Sequence, residues 1–314
     1  MNQLLRKSGV SVLLAILLIA VVGSVPVFQF VTKGEATITP STLIDLVIIC
    51  LMLLFQASWF SSIMRRSGFV EQWTLLPTTI YILLAISIPS SLEHPQVVAI
   101  NFIWLIFYHR LFRLTDGEFE DRNIFMDTGI WLCIGMLLYP KSIYLLPWVI
   151  LLLNQFTTGI QRFAIVLLSF IVVVFSALSI IYLYISPDWV LGLLASLKPE
   201  WSTEIFSKAY TTNYYIGVLA AMILVSPVVL RQLNFMQTKN QSIIQMVLLQ
   251  VVVIVVTAIL SGNHGSQALL LAVAPVALFV GFGSNYVKSR LIFNIALAIL
   301  LFAVVFNQWV KYLM

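Results

Sequence analysis

Apolar runs of near-membrane length follow one another along this whole chain, each ended by charged or turn residues. They occupy 10–28, 41–59, 73–89, 97–112, 124–139, 142–158, 163–185, 214–230, 243–260, 267–283 and 291–310. A hydrocarbon core of about 30 Å takes roughly 20 residues at 1.5 Å of rise each. Backbone at that depth must satisfy its own hydrogen bonds. The runs therefore predict an all-α fold, a polytopic transmembrane helix bundle of about eleven spans forming a single transmembrane domain over 1–314. Composition excludes the soluble alternative: 61% of residues are hydrophobic and 9% charged, against about a quarter charged in soluble domains. No internal repeat and no water-soluble segment of domain length interrupts the series.

The basic residues orient the bundle. With the N-terminus inside, the inner connections hold Arg6, Lys7, Arg65, Arg66, Arg110, Arg113, Arg122, Arg162, Arg231, Lys239, Lys288 and Arg290, which includes every arginine. Lys33, Lys141, Lys198, Lys208 and Lys311 are left outside. Basic residues favour the cytoplasmic side, so an odd number of spans puts Met314 outside. The net charge of +5 reads as cytoplasmic anchoring, not as a surface for nucleic acid. Met1 to Phe28 has the basic start and apolar body of a secretory signal but no small-x-small cleavage site, and is read as a retained first span. Cys50 and Cys133 fall in apolar runs without C-x-x-C spacing, giving neither a redox motif nor a metal site.

One hairpin departs from the ordinary span. Between Ile124 and Asn154 two short apolar runs meet at Tyr139-Pro140-Lys141-Ser142. A shallow or strongly packed hairpin is expected, with a cation at its tip. A cation held at membrane depth normally has a partner. The long outer connection 186–213 spaces Trp189, Val190, Leu193, Leu194 and Leu197 as an amphipathic helix would, and Lys198-Pro199-Glu200-Trp201 ends it. That predicts an interfacial helix, either a lid over a site or a connector.

Few polar residues face the outer side, so each carries weight. Glu35 lies in the first outer connection and Asp45 just within the second span; Glu93 and His94 share a short outer connection, and His264 lies in another. An acid inside a membrane helix points to function or to a buried partner. Histidine beside a carboxylate suits proton transfer. These five are the candidate catalytic residues. Two outer histidines without a third ligand at fixed spacing give no metal site, and no nucleotide or other cofactor motif is visible. On the inner side, the charged stretch His109 to Asp127 reads as a solvated elbow, since Gly117 stands alone and EFED suits a turn better than a cation cage.

The run DTGIWLCIGMLLYPKSIYLLPWVILLL resembles a segment of multi-spanning GT-C-type lipid-linked sugar transferases, with Leu76-Pro77, Ile88-Pro89, Asn101 and His109-Arg110 in similar order before it. The likeness covers about residues 70 to 215. Through YPKSIYLLP the chain also resembles a family of multi-pass inner-membrane proteins of Bacteroidota, which implies a bacterial inner-membrane location and brings no activity with it. The GT-C likeness implies a polyprenyl-phosphate-linked sugar at the outer face, with Glu35 or Asp45 as base and Lys141, Lys198 or Lys208 on the lipid phosphate. The sequence departs from that class in its first outer connection, which offers Glu35 alone, well past the helix end.

Three function classes stay open. The first is a glycosyltransferase-like enzyme or binder of lipid-linked sugar. The second is a non-catalytic accessory or scaffold protein that packs with membrane partners. The third is a transporter, against which stand the lack of duplicated halves and the scarcity of ionisable groups in the last five spans.

Overall fold

The computed structural model describes residues 40–69, 76–87, 95–115, 122–156, 160–184, 186–201, 209–234, 238–262 and 265–286, with isolated helical positions at 295, 298, 299 and 302. The run at 10–28 and the rest of 291–310 lie outside the described residues. In chain order the helices are α1 (Pro40–Arg66), α2 (Leu76–Ser87), α3 (Pro95–Thr115), α4 (Arg122–Leu138), a 3-10 helix (Pro140–Leu145), α5 (Leu146–Phe156), α6 (Ile160–Tyr184), α7 (Pro187–Ser196), α8 (Ala209–Leu233), α9 (Thr238–Leu260) and α10 (Gly265–Tyr286). Among the described residues there are no strands. The described residues form the all-helical architecture expected from the apolar runs.

The spans are less uniform than the run lengths suggest. Among the described residues, four stretches are long and apolar enough to cross a membrane: Val47–Arg66, Phe163–Tyr184, Ile216–Leu233 and Gln241–Leu260. Asn123–Leu138, Pro140–Asn154 and Ala268–Gly283 are shorter apolar helices. Within the runs read as spans at 73–89 and 142–158, the described helices cover 12 and 11 residues. Pro77 through Ala85 of α2 are all buried.

Helix α10 is the centre of the bundle. Every residue from Ala268 to Gly283 is buried, against α9, α8, α2 and α3. Lipid chains are as apolar as leucine, so membrane helices associate by close packing, which small residues permit. Ala268, Ala272, Ala274, Ala277, Gly281 and Gly283 supply that smoothness. At Gly283 a Cβ would run into Val225 and Val229 of α8. The same device joins α4 to α6: a Cβ on Gly129 would strike Ser169 Oγ and the backbone of Val166 and Phe170.

A buried polar network ties α1, α2 and α3 together. Gln56 Nε2 donates to the Val98 carbonyl at 2.8 Å, the Tyr81 hydroxyl to Gln56 Oε1 at 3.0 Å, and Asn101 Nδ2 to the Tyr81 oxygen at 2.6 Å. With its members paired among themselves, it fixes which helix faces meet without leaving the Gln56 amide or the Tyr81 hydroxyl bare.

The two ends of the bundle differ chemically. Trp59 stacks edge-on to both Phe102 and His109 while Gln56 reaches Val98, so α1 and α3 run parallel. Arg65, Arg66 and Arg113 stand in their last turns. Arg110 pairs with Asp127 at 3.2 Å, bringing the start of α4 to that same end. Of the charged elbow, 116–121 lies outside the described residues. Lys141, beyond the other end of α4, therefore sits opposite the guanidinium groups.

Candidate functional site: a lysine clasp at the hairpin tip

Pro140 builds the tip. A residue before proline is pushed out of the helical region, and Tyr139 adopts φ −133°, ψ 87°, ending α4. Proline's fixed φ then suits the first position of a new helix. The Ser142 N–H donates to the Tyr139 carbonyl at 2.9 Å, the three-residue spacing of a 3-10 turn. This tight turn swings Lys141 inward, where only 4% of the residue is exposed.

Two distant segments meet the ammonium there. Lys141 Nζ lies 3.1 Å from Glu200 Oε2, and donates to the Ser261 carbonyl at 3.4 Å. The lysine side chain is 5% exposed and that of Glu200 57%, so a buried cation is compensated by an acid whose other side faces out. Glu200 and Ser261 form an isolated parallel bridge, with the Glu200 N–H on the Leu260 carbonyl at 3.0 Å. Gly262 follows at φ +58°, a region that favours glycine. A Cβ at Gly262 would lie 2.8 Å from Glu200 Oε2 and 2.9 Å from its Cβ. The absence of a side chain at that position admits the glutamate.

Hydroxyls complete the clasp. The Tyr139 hydroxyl lies 3.2 Å from Ser261 Oγ, which donates to the Thr257 carbonyl at 2.6 Å. Tyr144 donates to the Leu197 carbonyl at 2.7 Å, holding the end of α7 against the 3-10 helix. Helix α7 occupies the stretch expected to form an amphipathic helix. Ser186 caps its start, accepting from the Asp188 N–H at 3.2 Å, and Pro199 follows its end. Trp148 Nε1, on the Met246 carbonyl at 2.9 Å, anchors α5 to α9 behind the tip. The Ser142 hydroxyl is buried and unpartnered beside the lysine.

Of the residues singled out from the sequence, Lys141 is at this site and Lys198 is exposed three positions past Ala195, whose carbonyl its N–H meets at 3.2 Å. Asp45 lies in the second turn of α1, its side chain outside the described residues. Glu35, Glu93, His94, His264 and Lys208 lie outside the described residues as well. No group of three potential metal-ligating side chains occurs among the described residues. Glu200, Ser261, Tyr139 and Tyr144 were not anticipated as site residues. Glu200 is visible in the sequence only as part of a helix stop, and nothing local points it at a lysine 59 positions earlier.

An ammonium, a partly exposed carboxylate and hydroxyls meet at this tip. A lysine is a compact point charge that accepts carboxylate or phosphate oxygens alike. No known protein family, curated protein or solved structure matches this chain.

Proposed function

We propose that this integral membrane protein binds the phosphate of a polyprenyl-phosphate lipid at the outer face of a bacterial inner membrane, with Lys141 as the cation and Glu200 as the carboxylate that the phosphate displaces. The observation that carries the proposal is the 3.1 Å contact between a nearly buried ammonium and a half-exposed carboxylate. Exchanging one anion for another keeps the buried charge compensated. Removing the anion outright would leave an isolated ammonium in a poorly hydrated site. The outer location follows from the positive-inside reading, in which Lys141 stands opposite the arginines. The inner-membrane assignment follows from the resemblance carried by YPKSIYLLP. Sugar transfer would also need a base beside the phosphate. Among the described residues the carboxylate at hand is Glu200 itself, so the proposal is for binding.

A second reading, an accessory protein in which the pair only clamps the fold, is favoured by the closed geometry of that same contact. Native mass spectrometry of the full chain in detergent separates the two, with polyprenyl phosphate and the neutral polyprenol as probes. Binding predicts retention of the phosphate over the alcohol, loss of that preference in Lys141→Met, and stronger retention in Glu200→Gln, where the internal competitor is gone. Equal retention of both lipids by the wild type, or a Lys141→Met protein that holds the phosphate as well as the wild type, leaves the clamp.

A further inference from the structure

On the outward side of the contact between α1 and α3, two stripes of residues run in step. Phe55, Trp59, Ser62 and Arg66 follow one another on α1 at intervals of four, three and four residues. Phe102, Ile106, His109 and Arg113 do the same on α3. Residues so spaced share one face of a helix. Ring contacts set the register: Phe55 lies 5.5 Å from Phe102, and Trp59 meets Phe102 at 6.4 Å and His109 at 5.6 Å, centroid to centroid. Every member of both stripes is partly or fully exposed, whereas Gln56, Phe60 and Ile63 on α1 and Asn101, Leu105 and Tyr108 on α3 are buried. The stripes therefore form a seam on the surface of the bundle, outside its core.

This seam is aromatic at depth and cationic at its end. Val47–Arg66 is long and apolar enough to cross a membrane, which sets Phe55 at hydrocarbon depth and Arg66 at the boundary. Arg66 lies seven residues past Trp59, and Arg113 four past His109, so the two backbones end within about 5 Å of each other in height. The other arginines of the two helices are engaged elsewhere: Arg65 Nε donates back to the Ser61 carbonyl at 3.3 Å, and Arg110 pairs with Asp127 of α4. We propose that the seam binds an anionic phospholipid of the leaflet at the arginine end, its phosphate between Arg66 and Arg113 and an acyl chain against Phe55, Phe102 and Ile106. Charge complementarity selects the occupant. Guanidinium groups hold phosphate oxygens through their planar forks. A zwitterionic ethanolamine headgroup would bring its own ammonium beside two cations, and a net negative headgroup does not. The site stands at the opposite end of the bundle from the lysine clasp and does not depend on it.

Native mass spectrometry of the full chain in detergent tests this, with chain-matched phosphatidylglycerol and phosphatidylethanolamine as probes. The wild type is expected to retain the glycerol lipid over the ethanolamine lipid. Arg66→Gln/Arg113→Gln is expected to lose roughly tenfold of that preference, the share of two basic residues at an anionic surface. Arg66→Gln alone, expected to lose about threefold, serves where the double variant does not elute as a single species. Arg231→Gln is the control, removing an exposed arginine in the last turn of α8, and should keep the preference. An unselective wild type, or a loss in Arg231→Gln as large as in the seam variant, overturns the proposal. So does a lipid-free dimer of the wild type that the double variant fails to form, which would give the seam to a second copy.

Discussion

Removing either partner of the Lys141–Glu200 pair breaks the same 3.1 Å contact, yet the two losses should differ. Coulomb attraction at that distance is about 5 kcal/mol at an effective dielectric of 20 and nearer 1 kcal/mol in water. The environment on each side decides which limit applies. Glu200→Gln keeps the shape and an oxygen acceptor but leaves an ammonium that is 5% exposed without its counter-charge. Loss of one partner of a fully buried pair costs about 3–5 kcal/mol. Because the Glu200 side chain is 57% exposed, water reaches one side, and about 2–3 kcal/mol is expected here. Lys141→Met instead leaves a carboxylate that can hydrate, and puts an apolar chain of similar length in the buried slot. That should cost under about 1 kcal/mol, as replacing buried ions by apolar groups often does. The double variant should resemble Lys141→Met. Unfolding in mixed detergent micelles, followed by tryptophan fluorescence, gives the three differences. A Lys141→Met protein as destabilised as Glu200→Gln would refute the reasoning, because the asymmetry follows directly from which ion is buried.

Gly129→Val should lower stability by more than about 2 kcal/mol or prevent assembly, since overpacking here drives a side chain into the backbone of α6; yield and monodispersity by size exclusion check it. Asn101→Leu should cost about 1–3 kcal/mol by stripping the Tyr81 hydroxyl and Gln56 of a shared partner, an effect that micelle unfolding would contradict if the variant were neutral. Asp127→Asn should change stability by less than about 1 kcal/mol, because its pair with Arg110 is partly solvated on both sides. Amides of α7 should exchange hydrogen as one unit, faster than those of α10 and faster still in Glu200→Gln; equal protection of α7 and α10 would contradict a lightly held limb.

The apolar runs made the fold class legible, because hydrocarbon leaves a chain few alternatives. They did not distinguish a helix on the rim of the bundle from one enclosed by its neighbours. Pro77 to Ala85 and Ala268 to Gly283 read as ordinary spans, yet every residue of both stretches is buried. The available signal for α10 was its alanines and glycines, which matter only once neighbours are assigned. At the site, Lys141 announced itself, since a lysine at the tip of an apolar hairpin needs compensation. Glu200 did not, because its approach depends on a bridge to Ser261 and on the missing side chain of Gly262. Both are properties of chain crossings, not of local spacing.

The clasp also sets where the molecule can give. In the span Phe163–Tyr184 of α6 only 6% of the stretch is buried, against 44% for Val47–Arg66 of α1, and α6 packs chiefly on α4 and α7. Helix α7 buries little beyond Val190. What returns this limb to the bundle is polar: Tyr144 on the Leu197 carbonyl, the Glu200 bridge to the end of α9, and the lysine pair. Each such contact contributes about 1 kcal/mol net, more where charged. Their sum is small beside the packing that encloses α10. A ligand that took Lys141 from Glu200, as proposed above, would act on this light attachment. Binding and release of the α7 limb would then be one equilibrium, in which a phosphate would gain only what the glutamate gives up.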